Sequence, residues 1–363
     1  MKENVRYFPA LTGVRAIAAI MVYILHFNPF RSHIFNPAIF NFTREFHVGV
    51  TIFFVLSGFL ITYRYSDLEN FSFKKYMVNR FARIYPMYFI LTTLTFLFLF
   101  IQNNFSFKLY LLNITFLRGF FDPIKFSGIG QGWSLTVEET FYILAPLFFI
   151  ILKKNIRYIL IINFVLIMMG ISLVSIFSHF HFYGFFSSYK FMFDHTFFGR
   201  CTEFIIGMLL AVFIKKYNYQ IKYKYFTVLG SIIIGFCIWG LSHIRATGNS
   251  EISTSINRVI NTLILPLFGI AILFYGLLTE KTLISNFLGS KFMVLLGKSS
   301  YIFYLIHKGV IRNMIPSFHN NVADILFRFF ILQTIALILF RLVEDPINKY
   351  IRKKFSAHTV LKK

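Results

Sequence analysis

The chain has 363 residues, of which 57% are hydrophobic and 14% are charged, and its mean hydropathy is +0.66. Soluble domains carry about 25% charged residues, so this composition excludes a soluble protein and indicates one all-α, polytopic membrane domain over residues 1–363, with a short basic tail from about residue 350. The formal charge of +23 does not indicate nucleic-acid binding, because the basic residues lie in short runs between apolar stretches.

Ten stretches are long enough to cross the roughly 30 Å hydrocarbon core of a bilayer as helices. The sequence predicts them at Pro9–Phe27, Val48–Tyr63, Ile84–Ile101, Leu135–Leu152, Tyr158–Phe177, Phe197–Ile214, Phe226–Ser242, Val259–Leu278, Ser299–Ile315 and Ile325–Val343.

The Lys and Arg residues in the connections predict the orientation of these helices. With the N-terminus in the cytosol, the cytosolic side holds more than twice as many of them as the opposite side, so both termini are predicted to be cytosolic. Neither a disulfide framework nor a metal site is predicted. Cys201 and Cys237 both lie in apolar segments, and no histidine spacing fits a tetrahedral site.

The first predicted helix carries two ionisable residues, Arg15 and His26. They are eleven residues apart, which puts them on one helix face, with about 20° between their directions and roughly 16 Å between them along the axis. Ionisable residues within a membrane usually face a cavity or a partner, so the pair is a candidate functional feature. The alternative is that Arg15 snorkels to the surface and His26 bonds a backbone carbonyl.

A second candidate is the segment RFARIYP, in the connection before the third predicted helix. Arg80 and Arg83 are one helical turn apart, and such a pair can bind a phosphate-rich ligand through bidentate hydrogen bonds. The alternative is the ordinary positive charge of a cytosolic connection.

The third candidate is GWSLTVEETFYILAP, where two adjacent carboxylates precede an apolar run. Trp133 suits a membrane interface, and Ser134 is predicted to be the N-cap of the helix that follows. Glu138 and Glu139 point about 100° apart, so only one of them can face a given partner squarely. The alternative is that both carboxylates lie near the start of the helix only because they interact favourably with the positive end of the helix dipole.

Two further pairs are spaced by one helical turn. Arg200 and Glu203 are predicted to form an ion pair on one helix face, with a purely structural role as the alternative. Tyr304 and His307 share a face in the same way, with Tyr301 one turn earlier.

Taken in order, these segments resemble the membrane-bound acyltransferase family 3, the O-acetyltransferase-like proteins that modify bacterial surface polysaccharides. The resemblance is carried by FPALTGVRAIAAIMVYILH, GVTIFFVLSGFLIT, RFARIYP, GWSLTVEETFYILAP, GRCTEFIIGMLLA, GKSSYIFYLIH and VEDPINKYIRK, from residue 8 to about residue 352. It implies an enzyme of the bacterial inner membrane. This enzyme would move an acyl group, usually acetyl from acetyl-CoA, to a sugar hydroxyl of a cell-surface or lipid-linked glycan, with no tightly bound cofactor.

The resemblance and the chemistry of acyl transfer suggest roles for the candidate residues. His26 is the candidate general base, with a transient acyl-imidazole as an alternative, and Glu138 or Glu139 would orient it. Arg80 and Arg83 would hold the CoA phosphates at the cytosolic rim, and Arg15 would line the route between the two sites.

The sequence also departs from the family pattern. Thr12 and Thr51 stand where members commonly have Asp, so no carboxylate role is assigned in the first two helices. Many members also carry an extra helix and a C-terminal hydrolase-like domain, and neither is expected here. The competing function is a transporter or flippase for a lipid-linked sugar, which the missing internal repeat disfavours.

The charge distribution yields a topology prediction. Reporter fusions after Lys154 and Lys216 should read as cytosolic, and fusions near Asn103 and Arg245 should read as external, because positively charged connections stay in the cytosol. Paired phosphatase and fluorescent-protein fusions measure this directly. A cytosolic signal near Arg245 would overturn the assignment of the spans.

Overall fold

The computed structural model describes residues 7–31, 35–66, 71–180, 182–217, 225–246, 251–317 and 322–360. The protein is 85% helical, and no strand occurs in the described ranges. An isolated antiparallel bridge joins Phe121 and Phe185. The prediction of an all-α membrane protein is confirmed.

Ten main helices make up the bundle, and we number them in chain order. They are α1 (Pro9–His26), α2 (Val48–Tyr65), α3 (Phe73–Ile101), α4 (Trp133–Lys154), α5 (Arg157–Phe180), α6 (Phe197–Lys216), α7 (Phe226–Ala246), α8 (Glu251–Val259, a π-helical part Ile260–Ile270, and Ala271–Thr279), α9 (Lys291–Ile306) and α10 (Val322–Leu339, a π-helical part Phe340–Glu344, and Asp345–Val360).

Short helices lie in the connections between these main helices. The α-helical ones are Pro37–Thr43, Phe107–Ile114, Tyr189–His195, Leu283–Leu288 and Val310–Met314, and the 3₁₀ turns are Pro29–Arg31, Leu117–Phe120, Asp122–Ile124 and Gly130–Gly132.

Nine helices in the described part of the chain are long and apolar enough to cross a membrane, and α9 is the exception among the ten. The prediction of a span over Ser299–Ile315 was misplaced, since α9 covers Lys291–Ile306. Its start is set by Ser290, whose hydroxyl accepts a hydrogen bond from the Met293 amide at 3.3 Å. After its end, Gly309 has a φ of +107°, which does not continue a right-handed helix.

Helix α3 begins eleven residues before the predicted start at Ile84. Ser72 caps it by accepting a hydrogen bond from the Lys75 amide at 3.3 Å, and Pro86 lies inside the helix without ending it. Arg80 and Arg83 therefore lie within a helix of the bundle. The prediction that they belong to a connection between helices was wrong.

The start of α4 also differs from the prediction. Its N-cap is Gly132 rather than Ser134, because the turn Gly130–Gly132 continues directly into the helix. Ser134 is already inside the first turn, where its hydroxyl donates back to the Gln131 carbonyl at 3.0 Å.

Two parallel helix pairs form the centre of the bundle. Helices α2 and α6 are joined near both ends, where Arg200 donates to the Thr51 hydroxyl at 3.1 Å and Lys215 donates to the Ser66 hydroxyl at 3.2 Å. Helices α1 and α9 also run parallel, and His26 meets His307 at their C-terminal ends. We call the end of the bundle where α1 begins the proximal end, and the end where α1 finishes the distal end.

Glycines permit the close approach of these helices. The α-carbon of Gly207 in α6 lies against the backbone of Val55 in α2, and Gly58 in α2 lies against the backbone of Phe204. Small residues at such crossings are typical of membrane helices, where close van der Waals packing drives association. By contrast, the α-carbon of Gly235 in α7 faces open space.

This packing predicts that the same glycine-to-alanine substitution has different effects on stability at two positions. Gly207→Ala should destabilise the protein by about 1–3 kcal/mol, because the added methyl group would overlap the Val55 backbone. Gly235→Ala should leave stability unchanged or raise it by about 0.5–1 kcal/mol, since alanine favours a helix. Thermal unfolding in detergent compares the two variants. Equal melting temperatures would contradict the described α2–α6 crossing.

Candidate functional site

A cavity of 110 Å³ lies inside the bundle, between α1, α2, α3, α4 and α9. We call it the inner cavity. Its charged lining residues are Arg15, Arg80, Arg83 and Glu138, and Ser134 and Tyr304 line it towards the distal end. The structure therefore brings all three predicted donor-binding arginines and one of the two predicted carboxylates to a single enclosed space.

The arginines of the inner cavity have different partners. Arg83 forms an ion pair with Glu344, a buried residue of the π-helical part of α10. The Arg80 guanidinium lies over the rings of Tyr65 and Tyr142, 6.0 and 5.8 Å from their centroids. Within the described residues, no carboxylate is within ion-pair distance of Arg15 or Arg80. The guanidinium groups of Arg15 and Arg80 therefore keep N–H groups that can donate hydrogen bonds to a ligand.

Glu138 is held by hydroxyl groups. Its Oε1 accepts hydrogen bonds from Ser57, in the SGFLI segment of α2, and from Tyr142 at 2.5 Å. Glu139 is not among the residues that line the cavity. The two carboxylates point in different directions, as the spacing predicted, and Glu138 is the one that faces the enclosed space.

His26 pairs with His307 rather than with a carboxylate, which corrects the prediction that Glu138 or Glu139 orients it. The His26 Nδ1 atom is 3.1 Å from His307 Nε2 and 2.9 Å from the Val22 carbonyl. His26 and His307 end two parallel helices, whereas Glu138 lies further into the bundle beside Ser57.

Backbone carbonyls assign the tautomers of the neutral histidine pair. His307 Nδ1 is 2.7 Å from the Tyr304 carbonyl, which can only accept, so the proton is on this nitrogen and His307 Nε2 carries a lone pair. His26 Nδ1 must then donate, shared between the Val22 carbonyl and His307 Nε2. The consequence is that His26 Nε2 carries a lone pair, and no described residue hydrogen-bonds to it.

A buried amide fixes the carbonyl that anchors His307. Gln131 Nε2 donates to the carbonyls of Tyr304 and Leu305, both at 2.8 Å. The Tyr304 hydroxyl in turn is 2.8 Å from the Ser134 hydroxyl. This network joins the start of α4 to the end of α9, so the predicted residues Ser134 and Tyr304 position His307. The sequence analysis missed Gln131. The only feature of the sequence that could have indicated it is its position directly before the GWSLTVEE segment.

The remaining predicted residues lie towards the distal end. Arg200 and Glu203 form the predicted ion pair, with two nitrogen–oxygen contacts at 2.6 and 2.7 Å, and both side chains are buried. The Trp133 ring packs edge-on against His195, with 4.8 Å between ring centroids. Neither feature contacts the histidine pair directly in the described structure.

Comparison with known proteins identifies the family. The model described as an acyltransferase domain, family 3, matches residues 8–343. The chain belongs to this acyltransferase family. The resemblance inferred from the motifs is therefore confirmed over nearly the whole chain, and the protein is an integral membrane member of the family.

Several curated proteins are similar to this family member. It is 25% identical, over 96% of its length, to SACOL0978 of Staphylococcus aureus (strain COL), which is provisionally named an O-acetyltransferase. It is 31% identical, over 41% of its length, to YrhL of Bacillus subtilis (strain 168), provisionally named a peptidoglycan O-acetyltransferase. It is 25% identical, over 42% of its length, to OatA of Listeria monocytogenes, named a peptidoglycan O-acetyltransferase.

The chain spans only part of these relatives. The matched region is 58% of the S. aureus protein and 25% and 26% of the B. subtilis and L. monocytogenes proteins. No solved structure matches the chain significantly.

The Arg83–Glu344 pair yields a stability prediction for this acyltransferase-family protein. Glu344→Gln should cost about 3–5 kcal/mol, because it leaves a largely buried guanidinium without its counter-ion. Asp345→Asn is the matched control, since the adjacent Asp345 pairs with Lys349 at the surface, where a pair contributes about 0–1 kcal/mol.

Thermal unfolding of both variants in detergent measures the difference. The double variant Arg83→Gln/Glu344→Gln should recover part of the lost stability, because it removes the unpaired charge. Equal stabilities for Glu344→Gln and Asp345→Asn would contradict a structural role for the pair.

Proposed function

We propose that this protein is a membrane-embedded O-acyltransferase of a bacterial plasma membrane. It moves an acyl group, acetyl in the simplest case, from acyl-CoA on the cytosolic side to a hydroxyl of a cell-surface or lipid-linked glycan. Family membership and the names of the relatives support this proposal. The observation that carries the mechanism is a histidine with a fixed tautomer at the distal end of α1, beyond a cavity whose lining includes three arginines.

The donor enters from the proximal end, which this proposal assigns to the cytosol. Arg15 and Arg80 bind phosphate oxygens of CoA through charge-assisted hydrogen bonds, since neither is committed to a carboxylate. Arg83, which is paired with Glu344, positions the wall of this entrance instead of serving as a primary phosphate ligand. The pantetheine arm extends through the inner cavity past Glu138 towards Tyr304.

His26 acts as the general base at the distal end. The acceptor hydroxyl attacks the thioester carbonyl carbon while His26 Nε2 takes its proton, so a carbon–oxygen bond forms as the carbon–sulfur bond breaks. The CoA thiolate then receives this proton from the imidazolium. His307 Nε2 accepts a hydrogen bond from His26 Nδ1 throughout, which orients the base and stabilises its protonated form.

Glu138 serves the donor passage in this proposal. Its carboxylate holds the Ser57 and Tyr142 hydroxyls, and Tyr142 lies beneath the Arg80 guanidinium. Glu138 therefore sets the shape and polarity of the inner cavity and does not orient His26. No tightly bound cofactor takes part in the proposed reaction.

The role of His26 predicts a defect in chemistry alone. His26→Gln should reduce acyl transfer by about 10²–10⁴-fold, the usual contribution of a general base, while acyl-CoA binding and protein level hold. Mass spectrometry of cell-surface glycans measures acyl transfer, and binding assays with the purified protein measure the affinity for acyl-CoA. His243→Gln, at the exposed end of α7, is the matched control and should acylate normally.

Two results would contradict this assignment. Acylation by correctly inserted His26→Gln at a near wild-type rate would make the histidine structural. A protein that moves lipid-linked sugar but never changes glycan mass would be a transporter, and the proposed acyltransferase function would fail.

The donor arginines predict a separable binding defect. Arg15→Gln and Arg80→Gln should each weaken acyl-CoA binding by about 1.5–3 kcal/mol, the contribution of a charge-assisted hydrogen bond. Lys75→Gln removes an exposed charge from the same helix as Arg80 and should bind acyl-CoA normally. Titration of acyl-CoA onto purified variants measures the affinities. Unchanged affinity in both arginine variants would overturn this donor site.

A further inference from the structure

A second, larger cavity of 550 Å³ lies at the distal end of the bundle. We call it the outer cavity. Its walls include the start of α6, the end of α7, α8 and the short helix Tyr189–His195. The mechanism proposed above does not use this space, and a ligand bound there would lie at the opposite end of the bundle from the proposed donor entrance.

The outer cavity carries an excess of positive charge. Five cationic side chains line it: Arg44, Lys190, Arg200, Arg245 and Arg258. Arg200 pairs with Glu203, Arg245 with Glu45, and Arg258 with Asp194 at 3.1 Å. Arg44 and Lys190 are exposed, and neither has a carboxylate partner among the described residues. Clefts lined by one sign of charge attract ligands of the opposite sign.

The same cavity offers groups that suit a sugar ring. Trp133 supplies a large aromatic surface, and Asn257, Asn261 and Thr262 supply uncharged hydrogen-bonding side chains. Asn261 is held in place because its Oδ1 accepts a hydrogen bond from Thr51 at 3.2 Å. An aromatic surface combined with a few fixed polar groups is the usual composition of a site for a small polar ligand.

The outer and inner cavities meet at one layer of residues. Val50 of α2 lines both of them. Trp133 lines the outer cavity, and the next residue, Ser134, lines the inner one. Leu25, which lines the outer cavity, precedes His26 in α1. The outer cavity therefore borders the distal end of the donor passage, and one of its lining residues directly precedes the candidate base in α1.

We propose that the outer cavity is the acceptor site and that the acceptor is an anionic glycan. A sugar ring packs against Trp133, and a carboxylate or phosphate group of the same glycan contacts Arg44 and Lys190 at the rim. This inference rests on the proposed acyl transfer, and it adds the charge class of the acceptor and the residues that select it.

Binding of matched oligosaccharides to the full-length protein in detergent tests the proposal. Hyaluronan tetrasaccharide supplies carboxylates, N-acetylglucosamine 1-phosphate supplies a phosphate, and chitotetraose and N-acetylglucosamine are their uncharged counterparts. At least one anionic probe should bind about tenfold more tightly than its uncharged counterpart, and about 0.5 M salt should remove the difference. The probe that shows the preference distinguishes a carboxylate-bearing from a phosphate-bearing acceptor.

Variants at the rim link the preference to these residues. Arg44→Gln and Lys190→Gln should each reduce the preference for the anionic probe, and the double variant should abolish it without changing acyl-CoA binding or thermal stability. Arg44→Lys keeps the charge and should retain most of the preference. Lys108→Gln, which removes an exposed distal charge outside the cavity, is the matched control.

The outcomes separate this inference from the proposed function. Equal affinity for anionic and uncharged probes, or a preference that survives the double variant, would overturn the anionic acceptor site even if the protein acylates glycans. Anion-selective binding by a protein that never transfers an acyl group would instead overturn the proposed function, and with it the interpretation of the bound glycan as an acceptor.

Discussion

The carbonyl oxygen of Tyr304 accepts two hydrogen bonds, one from Gln131 Nε2 at 2.8 Å and one from His307 Nδ1 at 2.7 Å. The first bond fixes the end of α9 against the start of α4, and the second fixes the tautomer of His307. Because His307 Nε2 must then accept, His26 Nδ1 donates and His26 Nε2 keeps its lone pair. The ability of His26 Nε2, at the end of α1, to accept a proton thus depends on the backbone carbonyl of Tyr304 in α9.

The apolar surroundings impose the second constraint on the molecule. An ionisable group among membrane helices is costly unless it has a partner, and a buried pair that loses one member leaves an uncompensated charge. Arg83 and Arg200 satisfy this condition through Glu344 and Glu203. Among the described cations without a carboxylate partner, Arg15 and Arg80 line the inner cavity, and Arg44 and Lys190 line the outer cavity. The paired charges therefore support the bundle, and these four cavity-lining cations are available for binding.

Local sequence patterns predicted the features that depend on one helix. Hydropathy located the main helices except α9. The spacing of Arg200 and Glu203 predicted their ion pair, and the adjacency of Glu138 and Glu139 predicted that only one would face a partner. All of these follow from the helical repeat and require no knowledge of neighbouring helices.

Features that depend on contacts between distant helices could not be predicted in this way. The partners of His26 and Arg83 lie more than 250 residues away in the sequence, and no periodicity links them. Helix α9 was misplaced because hydropathy does not register its N-cap at Ser290. The motifs and the family resemblance supplied the candidate residues, whose functional roles stay predictions, whereas the contacts among these residues required the packing of the bundle.

Nitrogen-15 NMR of the histidine side chains would test the central claim most directly, because the chemical shift of each ring nitrogen reports whether it carries a proton. Comparison of the wild-type protein with His26→Gln and His307→Gln assigns the signals. We predict that neutral His26 is protonated at Nδ1 and unprotonated at Nε2, and that this preference weakens in His307→Gln. A neutral His26 protonated at Nε2 would leave this nitrogen without a lone pair to take the proton of the acceptor hydroxyl, and it would contradict the proposed role of this residue.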